Sequence, residues 1–302
     1  MSDLSISSTL KAAQSAADGG APRSRGYWSG VWQRLRHDYV TLFFLSVIIA
    51  IILTAVFAPL IAPFDPNKTS MLARLKPFGF KGFALGTDEL GRDMLSRLIY
   101  GGRMSLLMAL IPVAAAATIG GLLGVVAGFL GGGVNMVIMR TMDVFYAFPS
   151  VLLAVAISGM MGGGAANGML ALTLVFIPSI CRVAESATTQ VRGLDFLEAA
   201  RASGASTWSI IIHHVLGNVL PPIFVYTSSL ISVAILLASG LSFLGLGVVP
   251  PTAEWGLMLS TLRDAIYTQP AVCALPGVAI FITSLSFNLV SDGLRQAMDV
   301  RA

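Results

Sequence analysis

Charged residues are scarce in this 302-residue chain, where Asp, Glu, Lys and Arg together make up 11% of the sequence. Soluble domains carry about 25% charged residues, because a surface facing water needs polar cover. The shortage therefore excludes a soluble enzyme and a disordered chain. The 19 basic and 15 acidic residues leave a net charge of +4, too slight and too scattered for a nucleic-acid groove. With 55% hydrophobic residues and a mean hydropathy of +0.81, the composition predicts a polytopic membrane protein.

Cysteine and the common catalytic motifs are also missing or rare. Cys181 and Cys273 both lie in apolar stretches, so we expect neither a disulfide framework nor a zinc site. The sequence contains no G-x-x-x-x-G-K-[ST] pattern for ATP phosphates, and no H-E-x-x-H, G-x-S-x-G or paired-cysteine motif. His213 and His214 are adjacent, so on a helix they point about 100° apart and are interpreted as interfacial residues. The sequence predicts no catalytic residue and no metal site.

Charge-free runs locate the membrane spans. Residues 40–61 form an apolar run of 22 residues, which is enough for one helix across a hydrocarbon core of about 30 Å. We place the remaining spans at residues 104–130, at two segments of 144–181 separated by Gly162-Gly163-Gly164, at about 221–245 and at 265–291. The sequence therefore predicts an all-α membrane protein with six transmembrane helices.

Basic residues predict the orientation of these spans. The N-terminal tail lacks an apolar h-region, so we expect no cleaved signal peptide, and its Arg34 and Arg36 lie close to the first span. The positive-inside rule then places the N-terminus in the cytoplasm, and six spans return the C-terminus to the same side. One predicted outer loop conflicts with this rule because it contains seven basic residues: Lys68, Arg74, Lys76, Lys81, Arg92, Arg97 and Arg103.

These spans give the chain a simple organisation. A cytoplasmic tail, residues 1–39, precedes one transmembrane domain, residues 40–302. Within this domain we expect an outer loop at about residues 62–103 and a cytoplasmic loop at about residues 191–217.

Two patterns inside the spans concern packing. Gly120, Gly124 and Gly128 form two G-x-x-x-G steps, which let a neighbouring helix approach closely. That neighbour belongs either to this chain or to a partner. Arg182 and Glu185 lie three residues apart near the end of the fourth span, where we expect them to form a local ion pair.

Two serine-containing helix faces have alternative interpretations. At 100° per residue, Ser228, Ser232, Ser239 and Ser242 fall within an arc of about 80° on the fifth span. Ser284, Asn288 and Ser291 repeat the pattern on the sixth, with Asp292 beside them. These side chains either line a translocation path or hydrogen-bond across helix contacts. The path interpretation predicts that cysteines at Ser232 and Ser239 react with aqueous thiol reagents more readily than cysteines at Val233 or Leu237.

The cytoplasmic loop contains a distinctive segment, LDFLEAARASGASTW at residues 194–208. Its composition predicts a short helix with an acid in the first turn, ended by Gly204. This pattern alone fits an ordinary solvated helix. However, Glu198-Ala199-Ala200-x-x-x-Gly204 resembles the EAA signature of the membrane subunits of ATP-binding-cassette importers. The resemblance implies that Glu198, Ala199, Ala200 and Gly204 dock into a groove on an ATPase subunit.

One part of that signature differs in this chain. Residues 214–217 read His-Val-Leu-Gly where the signature has Ile-x-Leu-Pro. Pro221-Pro222 follows four residues later, and we expect it to provide the turn that the missing proline would have made.

Three further blocks resemble the C-type permease subunit of dipeptide, oligopeptide and nickel importers. They are LGTDELGRD at 85–93, LSFLGLG at 241–247 with Trp255-Gly256 downstream, and NLVSDGLR at 288–295. The resemblance implies a type I importer permease fold and an outer loop whose Asp88, Gly91, Arg92 and Asp93 contact a binding protein. The alternative interpretation is structural: a capped loop helix with an ion pair between Arg92 and Asp88 or Asp93.

The resemblance also implies partners in a bacterial cytoplasmic membrane. They are a second homologous permease, two ATP-binding subunits that hold ATP and Mg, and an extracytoplasmic substrate-binding protein. The chain itself would need no cofactor and would contact the lipid bilayer but no nucleic acid. A secondary transporter or channel is the alternative, but such proteins carry ionisable residues at the span centres, which are nearly absent here. We expect di- or oligopeptides as the substrate, and glutathione-like molecules, opines and nickel chelates stay open beside them.

Overall fold

The computed structural model describes residues 27–298 and contains ten helices of two turns or more in that range. The predicted tail is therefore described only from residue 27. The helices are α1 (Tyr27–Leu35), α2 (Tyr39–Val56), α3 (Met94–Leu130), α4 (Gly132–Tyr146), α5 (Ser150–Met160), α6 (Ala165–Arg192), α7 (Asp195–Ala202), α8 (Thr207–Phe243), α9 (Trp255–Leu262) and α10 (Pro270–Met298). Single turns occur at Ala58–Ile61, Met71–Ala73 and Arg263–Ala265.

Five helices of the described chain are long and apolar enough to cross a membrane: α2, α3, α6, α8 and α10. The pair α4–α5, bent by 88°, makes a sixth span if it is counted as one. The prediction of an all-α membrane protein is confirmed, and its six spans are reached with this bent pair, which is not a straight helix. Pro149 lies at the bend, because proline cannot donate a backbone hydrogen bond and excludes the helical conformation from the residue before it.

Several predicted boundaries move. α3 ends at Leu130 as expected, but it begins at Met94, where the Asp93 side chain caps its first turn. The long loop before α3 therefore comprises residues 62–93. α8 begins at Thr207, passes through a π-helical turn at Ile211–Val215, and continues through Pro221 and Pro222. The turn that we expected at Pro221-Pro222 is therefore absent.

The bundle has two ends that matter below. Residues 62–93, the start of α3 and the start of α9 lie at one end, called the loop end: Gly101 of α3 packs against Trp255 of α9. The end of α3 and the end of α6 lie at the other, called the α7 end, since Gly131 packs against Arg192 and the Arg201 guanidinium lies 5.5 Å from the Phe129 ring centre.

The glycine steps of α3 pack against α6 of the same chain. A Cβ atom on Gly120 would lie 2.7 Å from the Ile177 carbonyl oxygen, and one on Gly128 would lie 2.7 Å from the Glu185 carbonyl oxygen. A Cβ on Gly124 would overlap the carbonyl oxygen of Cys181. The G-x-x-x-G pattern thus serves contact within the subunit.

We expect Gly124→Ala to destabilise the protein by about 1–3 kcal/mol, because overpacking forces the two backbones apart. Gly121→Ala is the matched control, since a Cβ at that neighbouring position meets nothing within 4 Å. Thermal unfolding of the purified variants in detergent measures the difference. Equal melting temperatures would contradict the tight α3–α6 contact.

Candidate functional site

α7 is fixed on one side and open on the other. Leu197 is fully buried, and Ala200 is half-buried against the same core. Asp195, Glu198, Ala199 and Ala202 are all exposed, and their i, i+3, i+4, i+7 spacing places them on one helix face. We call these four residues the exposed α7 face. It combines two carboxylates with two small side chains, so a partner surface can approach its backbone closely.

The end of α7 depends on glycine. Gly204 has φ +81°, a conformation that favours glycine, and its N–H donates to the Arg201 carbonyl at 3.0 Å. A Cβ there would meet nothing within 4 Å, so the position faces open space. The prediction that Gly204 terminates this helix is confirmed.

Three large apolar side chains in α7 and next to it were not among the predicted site residues. Leu194, Phe196 and Trp208 are 47%, 42% and 66% exposed. Their only sequence signal was their position within an otherwise small and polar loop. Exposed apolar groups beside an exposed acidic face are typical of a protein-binding surface.

Asp88 is at the centre of the residue 62–93 loop. One carboxylate oxygen accepts hydrogen bonds from the backbone N–H groups of Leu90 (2.9 Å) and Arg92 (2.8 Å). The other oxygen lies 2.6 Å from Nε of Arg92 and 3.3 Å from Nε of Arg97. Asp88, Arg92 and Arg97 are 2%, 4% and 2% exposed. This buried group, the Asp88 cluster, joins the loop to the first turn of α3.

The predicted binding-protein contacts are therefore corrected. Asp88, Gly91, Arg92 and Asp93 are all buried, so their side chains cannot themselves touch another protein. Asp93 accepts a hydrogen bond from the Ser96 backbone N–H at 2.8 Å and caps α3. Gly91, at φ +74°, packs against the Ser70 carbonyl group. The interpretation as a capped loop helix with an Arg92–Asp88 ion pair describes the structure.

The other basic residues of the loop divide into two groups. Arg103 donates to the carbonyl oxygens of Ala55 (2.5 Å) and Val56 (2.7 Å) at the end of α2. Three of the seven basic residues, Arg92, Arg97 and Arg103, are therefore engaged in contacts inside the chain. The remaining four line the loop surface, three exposed and Lys76 half-buried: Lys68, Arg74, Lys76 and Lys81. We call them the basic loop surface.

The serine faces pack within the chain. Ser284 Oγ donates to the Ser232 carbonyl oxygen at 3.1 Å, joining α10 to α8. Ser242 Oγ accepts from the Val248 N–H at 3.2 Å, and Ser239 packs against Gly256. These four serines are buried, whereas two predicted pathway residues are more accessible: Ser228 is half-buried and Asn288 is exposed.

The order of thiol labelling stays a prediction. Val233 is 43% exposed, whereas Ser239 is 6% exposed. On a membrane-spanning helix an exposed side chain contacts either lipid or water, and only a side chain in water reacts with an aqueous reagent.

Arg182 and Glu185 do not pair with each other. Arg182 instead lies 2.7 Å from Asp143 and stacks over the Tyr146 ring, with 4.4 Å between the guanidinium and the ring centre. Glu185 accepts a hydrogen bond from the Asn135 amide at 2.7 Å. The predicted local ion pair is wrong because α4 presents closer polar partners to both side chains.

Glu254 is a buried carboxylate that the sequence analysis did not single out. It accepts hydrogen bonds from Ser105 Oγ (3.0 Å) and from the N–H groups of Gly256 (2.9 Å) and Leu257 (2.8 Å). It is 0% exposed, and this burial raises the pKa of its carboxyl group. Glu254 thereby caps α9 and ties it to α3. Its only sequence signal was its position beside Trp255-Gly256.

A cavity of about 840 Å³ opens between α6, α8 and α10. Its walls include Asn218, Tyr226, Ser229, Asp292 and Arg295. A smaller cavity of about 210 Å³ lies beside it and is lined mainly by apolar and aromatic side chains of α4, α5, α6 and α8, with Tyr226 bordering both. Among the described side chains, no group of three or more His, Cys, Asp or Glu residues could hold a metal.

The arrangement of the helices defines a class of membrane protein. A subunit of the MetNI methionine ABC transporter has the same fold, with a TM-score of 0.56 and 18% identity over 68% of this chain and 98% of that one. A chain of an amino acid ABC transporter gives a TM-score of 0.51 at 15% identity, covering 67% of this chain and 94% of its own. The bundle therefore has the type I ABC-importer permease fold.

Sequence comparison gives the family. Residues 120–302 match the model of the binding-protein-dependent transport system inner membrane component, and residues 26–77 match the N-terminal TM domain of oligopeptide transport permease C. The chain belongs to this family of permease subunits, and the resemblance to C-type permeases is confirmed.

Two relatives extend over nearly the whole chain. The di/tripeptide transport system permease protein DppC of Pseudomonas aeruginosa is 42% identical, covering 89% of this chain and 90% of its own. The glutathione transport system permease protein GsiD of Pectobacterium atrosepticum is 38% identical over 90% of each chain.

Proposed function

We propose that this chain is the C-type permease subunit of an ATP-driven, binding-protein-dependent peptide importer in a bacterial cytoplasmic membrane. A second homologous permease completes the translocation path, and two ATP-binding subunits hold ATP and Mg. An extracytoplasmic binding protein delivers the peptide. The peptide assignment is supported by the relatives that transport di/tripeptides and glutathione.

The exposed α7 face carries this proposal. α7 is attached to the bundle through buried Leu197 and through Arg201, which lies over the Phe129 ring at the end of α3. A partner that grips Glu198 and Ala199 can therefore move α7 together with the ends of α3 and α6. In this role the helix transmits the closure of the ATPase subunits, and the chain hydrolyses nothing itself.

The basic loop surface supports a docking site for the binding protein at the loop end. Of the acidic residues in the loop, only Asp65 is fully exposed, because Asp88 and Asp93 are buried and Glu89 pairs with Arg92 at 2.8 Å. The exposed charge of the loop is thus positive, and Leu72, 93% exposed, lies among these cations. We propose that the acidic rim of a binding protein docks on this basic loop surface, and not on the buried Asp88, Gly91, Arg92 and Asp93.

The translocation path, in this proposal, follows the accessible side of α8 and α10. Ser228 and Asn288 remain candidates for lining it, while Ser232, Ser239, Ser242 and Ser284 hold the helices together in the conformation described. The 840 Å³ cavity, which Tyr226 borders, provides the space for the peptide.

Reconstitution tests the function. The proteoliposomes contain this chain, its second permease and the ATP-binding subunits. We expect them to accumulate dipeptides only when ATP is enclosed in the lumen and the binding protein is present in the external medium. Empty liposomes and a complex without the binding protein are the controls. Uptake driven by an ion gradient without ATP would favour the secondary-transporter alternative.

Orientation is tested separately with single cysteines. We expect Leu72→Cys to react with a membrane-impermeant maleimide in intact cells that have a permeable outer layer, and Ala202→Cys to react only after the membrane is opened. Both positions are exposed, and both native thiols are buried, so background labelling is low. Labelling of Ala202→Cys in intact cells would place α7 outside and overturn the orientation.

A further inference from the structure

Two opposite charges lie in the wall of the 840 Å³ cavity without a partner among the described residues. Asp292 and Arg295 lie one turn apart on α10, and both are exposed and line this space. Within the part of the chain that the structure describes, neither side chain has an ion-pair or hydrogen-bond partner. Opposite charges at this helix spacing usually interact with each other. Charges near a membrane are also costly unless they are paired. The unpaired arrangement therefore leaves both groups available to a ligand.

The rest of the cavity is suited to a polar ligand. Asn218, Ser229 and Ser291 contribute amide and hydroxyl groups to its walls. Pro221 and Pro222 also line it, and their nitrogens have no hydrogen to donate to the carbonyl groups one turn earlier. Those carbonyl groups, on Gly217 and Asn218, lie in the same wall. The cavity thus offers acceptors for an ammonium group beside the carboxylate of Asp292.

The spacing of the two residues on α10 suits a short ligand with charged ends. Side chains three residues apart on a helix have Cβ atoms about 5–6 Å apart. Consecutive Cα atoms of a peptide are about 3.8 Å apart, so the ammonium and carboxylate of a dipeptide are separated by a similar distance. Guanidinium groups bind carboxylates with two parallel hydrogen bonds. The volume of about 840 Å³ lies within the range of about 300–1,000 Å³ that is typical of small-molecule sites.

We propose that this cavity is a subsite for the free termini of a short peptide. Asp292 binds the N-terminal ammonium group, and Arg295 binds the C-terminal carboxylate. The subsite lies in the half of the bundle nearer α7, where it receives a peptide that has crossed the membrane. This inference rests on the proposed peptide-importer function and adds the chemical feature that the permease itself recognises.

Photoaffinity labelling tests the subsite directly. The complete importer is purified without its binding protein and exposed to a dipeptide that contains benzoylphenylalanine, and the labelled segments are then mapped. We expect labelling on α8 and α10 that alanyl-alanine suppresses, whereas N-acetyl-alanyl-alanine and alanyl-alanine amide suppress it at least about tenfold less well, because each lacks one charge-assisted contact.

Two variants separate the roles of the charges. Asp292→Asn should remove the discrimination against the N-acetylated peptide, and Arg295→Gln should remove the discrimination against the amide. Asp264→Asn and Arg263→Gln are the matched controls, since this exposed pair lies outside the 840 Å³ cavity. The controls should behave like the parental complex.

Other outcomes would overturn the subsite. These are equal competition by blocked and free peptides, labelling that maps elsewhere, or variants that lose the second permease on purification because the charges pair with it. If the parental complex also accumulates no peptide in proteoliposomes, the proposed function fails. If uptake is normal and discrimination is absent, only the subsite is wrong.

Discussion

Glu198→Ala and Gly204→Asp are expected to leave the chain inserted in the membrane at the parental level while abolishing or greatly reducing transport. Glu198 is exposed on α7, and its side chain has no hydrogen-bond or ion-pair partner among the described residues. A charge-assisted hydrogen bond that the Glu198 carboxylate accepts from an Arg or Lys of an ATPase subunit would contribute about 1.5–3 kcal/mol to docking. At Gly204 a side chain would adopt an unfavourable positive φ and project into the open space where the proposed ATPase partner would dock.

Uptake assays and retention of the ATP-binding subunits on purification measure these effects. Gly193→Asp is the control for the glycine change. Gly193 is exposed, lies just before α7 in the sequence and has φ −88°, and a Cβ atom there would also meet nothing within 4 Å. Asp264→Ala, at an exposed acid elsewhere, is the control for Glu198→Ala. If both test variants transport at the parental rate, α7 is an ordinary solvated helix.

Asp88→Ala is expected to open the residue 62–93 loop and to lower stability by about 3–5 kcal/mol, the usual cost of leaving buried charges without their partner. Asp88 holds Arg92 and Arg97, which are each at least 96% buried, and also orders the turn at Leu90. Without the carboxylate, both guanidinium groups must either remain uncompensated or move to water. Protease cleavage of the loop and the melting temperature of the purified subunit report the change.

Asp65→Ala is the control within the same loop. Asp65 is exposed and accepts a hydrogen bond from the Asn67 N–H at 2.8 Å, so its loss should cost about 1 kcal/mol or less. Arg92→Lys should be intermediate, because an ammonium group cannot reproduce the two contacts that Arg92 makes with Asp88 and Glu89. Equal protease resistance of Asp88→Ala and Asp65→Ala would show that the Asp88 cluster does not hold the loop.

Hydrophobic runs located the spans well because burial in lipid excludes charge along a whole helix, whatever its neighbours are. The end of α3 at Leu130 and the glycine break before α6 follow from local chemistry in the same way. The 88° bend between α4 and α5 does not, since the predicted span began at residue 144, after Arg140 and Asp143, and so left out most of α4. Pro149 was the available signal for this bend.

The exposed α7 face is an example of a feature that a contiguous motif predicts. Its residues are consecutive, so the helix, its acidic first turn and its glycine end could be predicted from the sequence. The conflict between seven basic residues and an outer loop could not be resolved in that way. The structure gives internal contacts to three of the seven, because Arg92 and Arg97 are buried against Asp88 and Arg103 caps α2, and the other four stay on the loop surface.

The sequence by itself determined the class of protein, the number of spans, the family and the position of α7, because hydropathy and contiguous motifs are properties of neighbouring residues. The tertiary structure alone decided which polar side chains are free. It paired Arg182 with Asp143, joined Glu254 to Ser105 and buried four serines of the polar faces, while it left Asp292 and Arg295 in an open cavity. These outcomes depend on contacts between residues far apart in the chain, and the packing of the helices sets those contacts.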